Sequence, residues 1–163
     1  MNLSGKIALV TGASRGIGEA LAIGLADHGT DVIICDLESE SKGLANTHKQ
    51  IEKTGKKCWS YFLDVTKKSQ IQKMVSDILN DIGSIDILVN NAGILTPTSL
   101  EDIDEETWDS HFEVNTKGVL LMCQSVLPHM REKNSGRIIN IASIAGRQGS
   151  PTQGHYASTK SAV

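Results

Sequence analysis

An apolar run at residues 6–10, Lys-Ile-Ala-Leu-Val, stops at a turn holding Gly12, Gly16 and Gly18 and passes straight into a helical pattern. Beyond the turn, Ala20, Leu21, Ile23, Leu25 and Ala26 keep an apolar face at helical spacing. A strand feeding a helix through glycines commits the chain to a βα unit. Without a Cβ, Gly12 takes backbone shapes that other residues avoid, Gly16 admits a pyrophosphate to the helix N-terminus, and Gly18 lets helix and strand pack closely. The helix start adds free N–H groups and the positive end of its dipole. The spacing Gly-x3-Gly-x-Gly departs from the Gly-x-Gly-x2-Gly dinucleotide fingerprint and lacks the Lys-Ser/Thr ending of a nucleoside-triphosphate loop. Taken alone, the turn fits either a phosphate cradle or plain βα packing.

The same alternation continues. Gly29 closes the first helix, and residues 31–36 form a second apolar strand. A solvated helix over 39–54 ends at Gly55. Residues 58–63 read as a third strand and Thr66 as the N-cap of a third helix, whose apolar side is Ile71, Met74, Val75, Ile78 and Leu79. Residues 85–89 give a fourth strand, and Asn90-Asn91-Ala92-Gly93 a turn after it. Asp104 caps a long helix predicted to run unbroken to Met130, with Pro128 in its last turns. A fifth strand at 136–141 precedes a loop over 143–154 and a final helix from His155. Strands alternating with helices imply parallel pairing and right-handed crossovers, hence an α/β, Rossmann-like doubly wound sheet with helices on both faces. With no internal repeat or linker, residues 1–163 read as one domain.

Sixteen basic against nineteen acidic residues, with no run of like charge, leave no electrostatic footprint for nucleic acid. No apolar run reaches the length of a membrane span and no signal segment opens the chain, so a cytoplasmic protein with a small-molecule partner is expected. Cys35, Cys58 and Cys123 lack metal-ligand spacing and read as core thiols. His111, His129 and His155 are not at ligand spacing either, so no metal site is expected and they read as surface histidines. Trp59 and Trp108 read as packing residues.

In an open parallel sheet ligands bind beyond the carboxyl ends of the strands. Asp36 closes strand two, about twenty positions past the glycines, where a carboxylate accepts hydrogen bonds from adenosine ribose hydroxyls. Asp64-Val65 follows strand three, Asn91 strand four and Ser143 strand five. Tyr156 and Lys160, four apart, share one helix face, where an ammonium can stabilise a phenolate.

Together, Thr11-Gly12-x3-Gly16-x-Gly18, Asn90-Asn91-Ala92-Gly93, Asn115, Ser143 and Tyr156-x3-Lys160 resemble the ordered motif set of the short-chain dehydrogenase/reductase family, across the whole chain. The resemblance is to its 3-oxoacyl reductase-like and polyol- or diol-dehydrogenase-like members. It implies that Tyr156 is the general acid/base, that Lys160 lowers its pKa and holds the nicotinamide ribose, that Ser143 orients the reacting oxygen, and that Asn115 supports a water in the proton relay. It further implies a dinucleotide cofactor along Gly12, Ser14, Arg15, Gly16, Ile17 and Gly18, with Asp36 and Leu37 at the ribose. Asp64 and Val65 would flank the adenine, and Asn91, Ala92 and Gly93 would lie farther along the cofactor. Thr11 reads as structural. The implied reaction moves a hydride between NAD and a secondary alcohol or carbonyl compound. Asp36 favours NAD, whereas Arg15 in the glycine turn pulls toward NADP.

Family members continue with a further strand and the main subunit-contact helices, so the chain is expected to be an N-terminal portion of a longer protein, a homodimer or homotetramer when full-length. The substrate stays open among 3-oxoacyl thioesters, polyols, steroids and aromatic diols. The competing expectation is a truncated, catalytically inactive dinucleotide-binding module.

Overall fold

The computed structural model describes residues 3–163. Its sheet is fully parallel and ordered β3-β2-β1-β4-β5, from β1 (Ile7–Thr11), β2 (Asp31–Asp36), β3 (Cys58–Phe62), β4 (Ile87–Asn90) and β5 (Arg137–Asn140). The order reverses between β1 and β4. The crevice at that switch point is where such sheets hold ligands.

Register explains why the central strands are continuously apolar. Ala8, Val10, Val32, Ile34, Ile87 and Val89 face α1 (Gly16–Asp27) and α2 (Ser41–Lys53), where Ala22, Ala26, Leu44 and Ile51 complete one core. The alternate residues Leu9, Ile33, Cys35 and Leu88 face α3 (Lys68–Asp81) and α5 (Gly118–Glu132), against Ile71, Ile78, Met122 and Val126. Both faces are covered, so neither set of alternating positions is polar. β5 lies at the edge, with Ile139 45% exposed. Among the described residues no helix is long and apolar enough to cross a membrane.

The structure departs from the sequence reading at several points. Thr66 does not cap α3: its N–H and hydroxyl both go to Asp64 Oδ1, at 2.9 and 2.7 Å, and the helix begins two residues later. The carboxylate captures the hydroxyl that would have capped the helix. The long helix is broken. α4 (Glu105–Phe112), capped by Asp104 accepting from Thr107 N at 2.7 Å, passes through a π-helical turn, Glu113–Lys117, into α5. Between β5 and the last helix, α7 (Gly154–Ala162), the loop contains a short helix, α6 (Ala145–Gln148). Cys35 is buried, Cys58 and Cys123 half-buried, and all three are free. Trp59 packs against the core, but Trp108 is 41% exposed and leans on Phe112.

The histidines need the clearest correction. His111 and His155 are buried, not on the surface: both ring nitrogens of His111 and the Nε2 of His155 find backbone partners. His129 is half-buried beneath β4, and its Nε2 accepts from Ile85 N at 3.4 Å. No cluster able to hold a metal occurs among the described residues.

Candidate active site

Close approach of two strand ends builds the floor of the site. Thr11 Oγ1 accepts the N–H groups of Asn91 and Ala92, each at 3.0 Å, while Asn91 Nδ2 donates to the carbonyls of Thr11 and Gly12, also at 3.0 Å. Thr11 is thus a tie between the turns after β1 and β4. Gly12 has φ +64°, and a Cβ there would sit 2.8 Å from Ala92 Cα. A Cβ on Gly18 would strike the Gly12 carbonyl, so this glycine lets α1 press against the turn. Gly16 is different. Its φ is +61°, and the space its Cβ would fill is open. Arg15 at the head of α1 makes no side-chain capping bond, so the helix start faces the cleft uncapped by its N-cap side chain.

That cleft has a volume of about 390 Å³. Twelve residues expected along a cofactor line it: Gly12, Ser14, Arg15, Gly16, Ile17, Asp36, Leu37, Asp64, Val65, Asn91, Ala92 and Gly93. Gly18 lies behind the turn rather than in the wall. Asp36 ties β2 to the turn, as Oδ2 accepts from Ser14 N and Oδ1 from Leu37 N, both at 2.9 Å. Each oxygen keeps acceptor capacity for a ligand. Arg15 is held by Glu40 at 2.5 Å, and the carboxylate's hydrogen bond and charge raise the guanidinium's pKa. Glu40, Cys35, Leu63, Ile94 and Val114 also line the cleft, and the sequence reading missed them. Glu40 enters because the chain turns through a short 3-10 segment, Glu38–Glu40, directly after β2.

Tyr156, Lys160, Ser143 and Asn115 stand outside that wall, at its β4–β5 end. Gly93 marks the junction, since a Cβ there would lie 3.2 Å from Asn115 Oδ1 and 3.6 Å from Lys160 Nζ. Lys160 Nζ donates to Ile141 O at 2.7 Å and lies 5.9 Å from the centre of the Tyr156 ring. Burial pushes the lysine below its ordinary pKa range. Ser143 Oγ accepts from Ala145 N at 3.2 Å. Asn115 is fully buried in the π-turn, and its whole amide is used: Oδ1 accepts from Ile94 N at 2.8 Å, and Nδ2 donates to Ile94 O at 3.0 Å and Thr159 Oγ1 at 3.1 Å. The extra residue of a π-turn shifts register by one position, and π-turns recur at functional sites. The side chain therefore clasps the β4 turn to α7.

A model of the short chain dehydrogenase family matches residues 6–163. The chain is 40% identical to a 3-oxoacyl-[acyl-carrier-protein] reductase, FabG, of Thermotoga maritima over all 163 residues, which cover 65% of that protein. It is 39% identical to the FabG of Staphylococcus epidermidis over 97% of the chain and 64% of the relative. The chain thus spans just under two thirds of the length of these relatives. An NAD+-bound xylitol dehydrogenase superposes with a TM-score of 0.95 at 32% identity, over 99% of this chain and 62% of that one. Together with the glycine turn, the β4 turn and the Tyr156–Lys160 face, these matches show that the chain belongs to the short chain dehydrogenase family.

Proposed function

We propose that this chain carries the dinucleotide cleft and the acid/base group of an NAD(P)-dependent oxidoreductase acting on a secondary alcohol or the corresponding carbonyl compound. The observation that carries the reading is the continuity of two sites: an open cleft at the sheet's switch point, and a phenol paired with a buried lysine at its far end. The open space at Gly16 and the uncapped start of α1 suit a pyrophosphate. Asp36, half-exposed at the end of β2, suits ribose hydroxyls. A bound nicotinamide supplies the hydride acceptor or donor.

The chain's own residues handle the proton. Tyr156 gives a proton to, or takes it from, the reacting oxygen, and Ser143 donates its hydroxyl hydrogen to that oxygen. The Lys160 ammonium lies 5.9 Å from the centre of the Tyr156 ring on the same helix face, and its positive charge favours the phenolate. Asn115 keeps α7 against the β4 turn, so that tyrosine and lysine stay beside the cleft.

Asp36 would repel a 2′-phosphate, and Glu40 already occupies the guanidinium that would attract one. NAD is therefore the preferred cofactor in this reading. Values of kcat/KM with NAD(H) and NADP(H), measured on a panel of secondary alcohols and their ketones, test it. The expected result is turnover favouring NAD(H) by about tenfold or more, as a 1.4 kcal/mol difference gives; turnover favouring NADP(H) contradicts the reading of Asp36 and Glu40. The similarity to 3-oxoacyl reductases on one side and a xylitol dehydrogenase on the other makes 3-oxoacyl thioesters and polyols the first substrates for that panel.

A further inference from the structure

The two buried histidines belong to no part of the chemistry just described, yet they meet edge to face, with ring centres 4.2 Å apart at 85°, and His155 directly precedes Tyr156 in sequence. They come from different helices, His111 from α4 and His155 from α7, and both grip the backbone of one residue, Thr96, on its two flanking peptide groups. Thr96 N donates to His111 Nε2 at 3.2 Å, and His155 Nε2 meets Thr96 O at 3.0 Å.

The partners fix where the protons lie. A backbone N–H only donates, so His111 Nε2 is the bare nitrogen and its proton is on Nδ1, pointing at Thr107 O at 2.7 Å. A carbonyl only accepts, so His155 carries its proton on Nε2. Its Nδ1 is buried and without a hydrogen-bond partner among the described residues, so Nε2 is the ring's one tie to the backbone. The result is one directed chain of hydrogen bonds, from α7 through Thr96 to His111 and back onto the α4 backbone.

This chain of bonds is the middle of three ties between residues 94–98 and the α7 region. Asn115 holds Ile94 on one side and Thr159 on the other, and Thr98 N donates to Thr152 O at 2.8 Å. Only the histidine tie enters α7 at the residue preceding Tyr156. α7 has nine residues, too few to be helical alone, so its position depends on what it is fastened to.

We propose that His111 and His155 are positioning residues, which hold Tyr156 in place by clamping the N–H and the carbonyl of Thr96 between α4 and α7. The inference rests on the acid/base role given to Tyr156 above. The two are separable. The clamp is a property of the chain without cofactor or substrate, whereas the acid/base role is not.

Two measurements test the clamp. Long-range nitrogen–proton NMR of the chain without additions should show His111 protonated on Nδ1 and His155 on Nε2; either proton on the other nitrogen overturns the proposal. His155→Phe keeps a ring but removes the donor to Thr96, whereas His155→Gln restores an N–H at the position of Nε2. His155→Phe should speed exchange of amide protons in α7 and lower kcat by about tenfold to a hundredfold, the scale of sub-ångström misplacement, with cofactor affinity within about twofold. His155→Gln should recover most of both. Full kcat and unchanged exchange in His155→Phe, or a loss that His155→Gln does not repair, overturns the clamp. If the unaltered chain turns nothing over, the acid/base reading fails, and the NMR and exchange results still decide the clamp.

Discussion

The two ends of the site are built by different means. At the β1–β2 end, geometry comes from one turn and the strand paired beside it: Gly12, Gly16 and Gly18 shape the turn, and Asp36 reaches Ser14 across adjacent strands. At the β4–α7 end it comes from side chains that meet only in the folded chain, such as Asn115 with Ile94 and Thr159, or His111 with Thr96 and His155. The first end is a backbone surface that tolerates side-chain variation wherever no Cβ is in the way. The second is a network of buried polar groups, in which each lost partner strands another.

The largest contrast should appear at Lys160. Lys160→Ala removes the charge beside Tyr156 and the bond to Ile141 O, so kcat/KM should fall by about 10²-fold or more, the range for acid/base groups, and cofactor binding should weaken as well. Steady-state kinetics with a cofactor titration check both effects; a loss confined to cofactor affinity would detach the lysine from the tyrosine's chemistry.

At the other end, two glycines of one helix separate backbone approach from helix propensity. Gly18→Ala drives a methyl into the Gly12 carbonyl and should destabilise by about 1–3 kcal/mol. Gly24→Ala, whose Cβ meets nothing within 4 Å, should stabilise by about 0.4–1 kcal/mol. Urea unfolding of both variants gives the signs. If both lose stability, the close approach at Gly18 is not the cause.

The smallest effect is the most specific to the polar end. Burial holds the His111 imidazolium below its ordinary pKa, outweighing the opposing Thr107 hydrogen bond, and His155 adds to the depression. A group whose folded pKa is depressed contributes stability that is present above its unfolded value, near 6.5, and lost as pH falls through the folded value. Unfolding free energy should therefore decline as pH drops below about 6.5, and His111→Gln should flatten that decline. An identical slope in the variant would show that His111 is not the titrating group. Asp104, depressed by the Thr107 bonds of its cap, acts only in the carboxylate range, well below this window.

What the sequence disclosed follows the same division. The parallel order, the β2 bounds and the cleft-lining turns were legible because each rests on a local signal: a glycine, a strand-end carboxylate, an apolar period. The π-turn was not legible, because Asn115 looks like any weak helix former until Ile94 and Thr159 are known to lie beside it. The histidines were misread for the same reason. Their pairing spans 44 residues of chain, and nothing local marks His155 as buried. A hint existed in His111 and Asn115, polar residues four apart within an otherwise apolar helical pattern. Glu40 carries no local signal because it follows its strand through a 3-10 turn, and its place in the cleft wall, paired with Arg15, shows only in the folded chain.

The most direct test of the account is Tyr156→Phe, which keeps the ring and removes only the exchangeable proton. Measured as kcat beside a fluorescence titration of NADH, the account predicts turnover lowered by about 10²- to 10⁴-fold with cofactor affinity preserved. A variant that keeps more than about a tenth of wild-type turnover would contradict it, since a general acid/base of ordinary strength cannot be lost so cheaply.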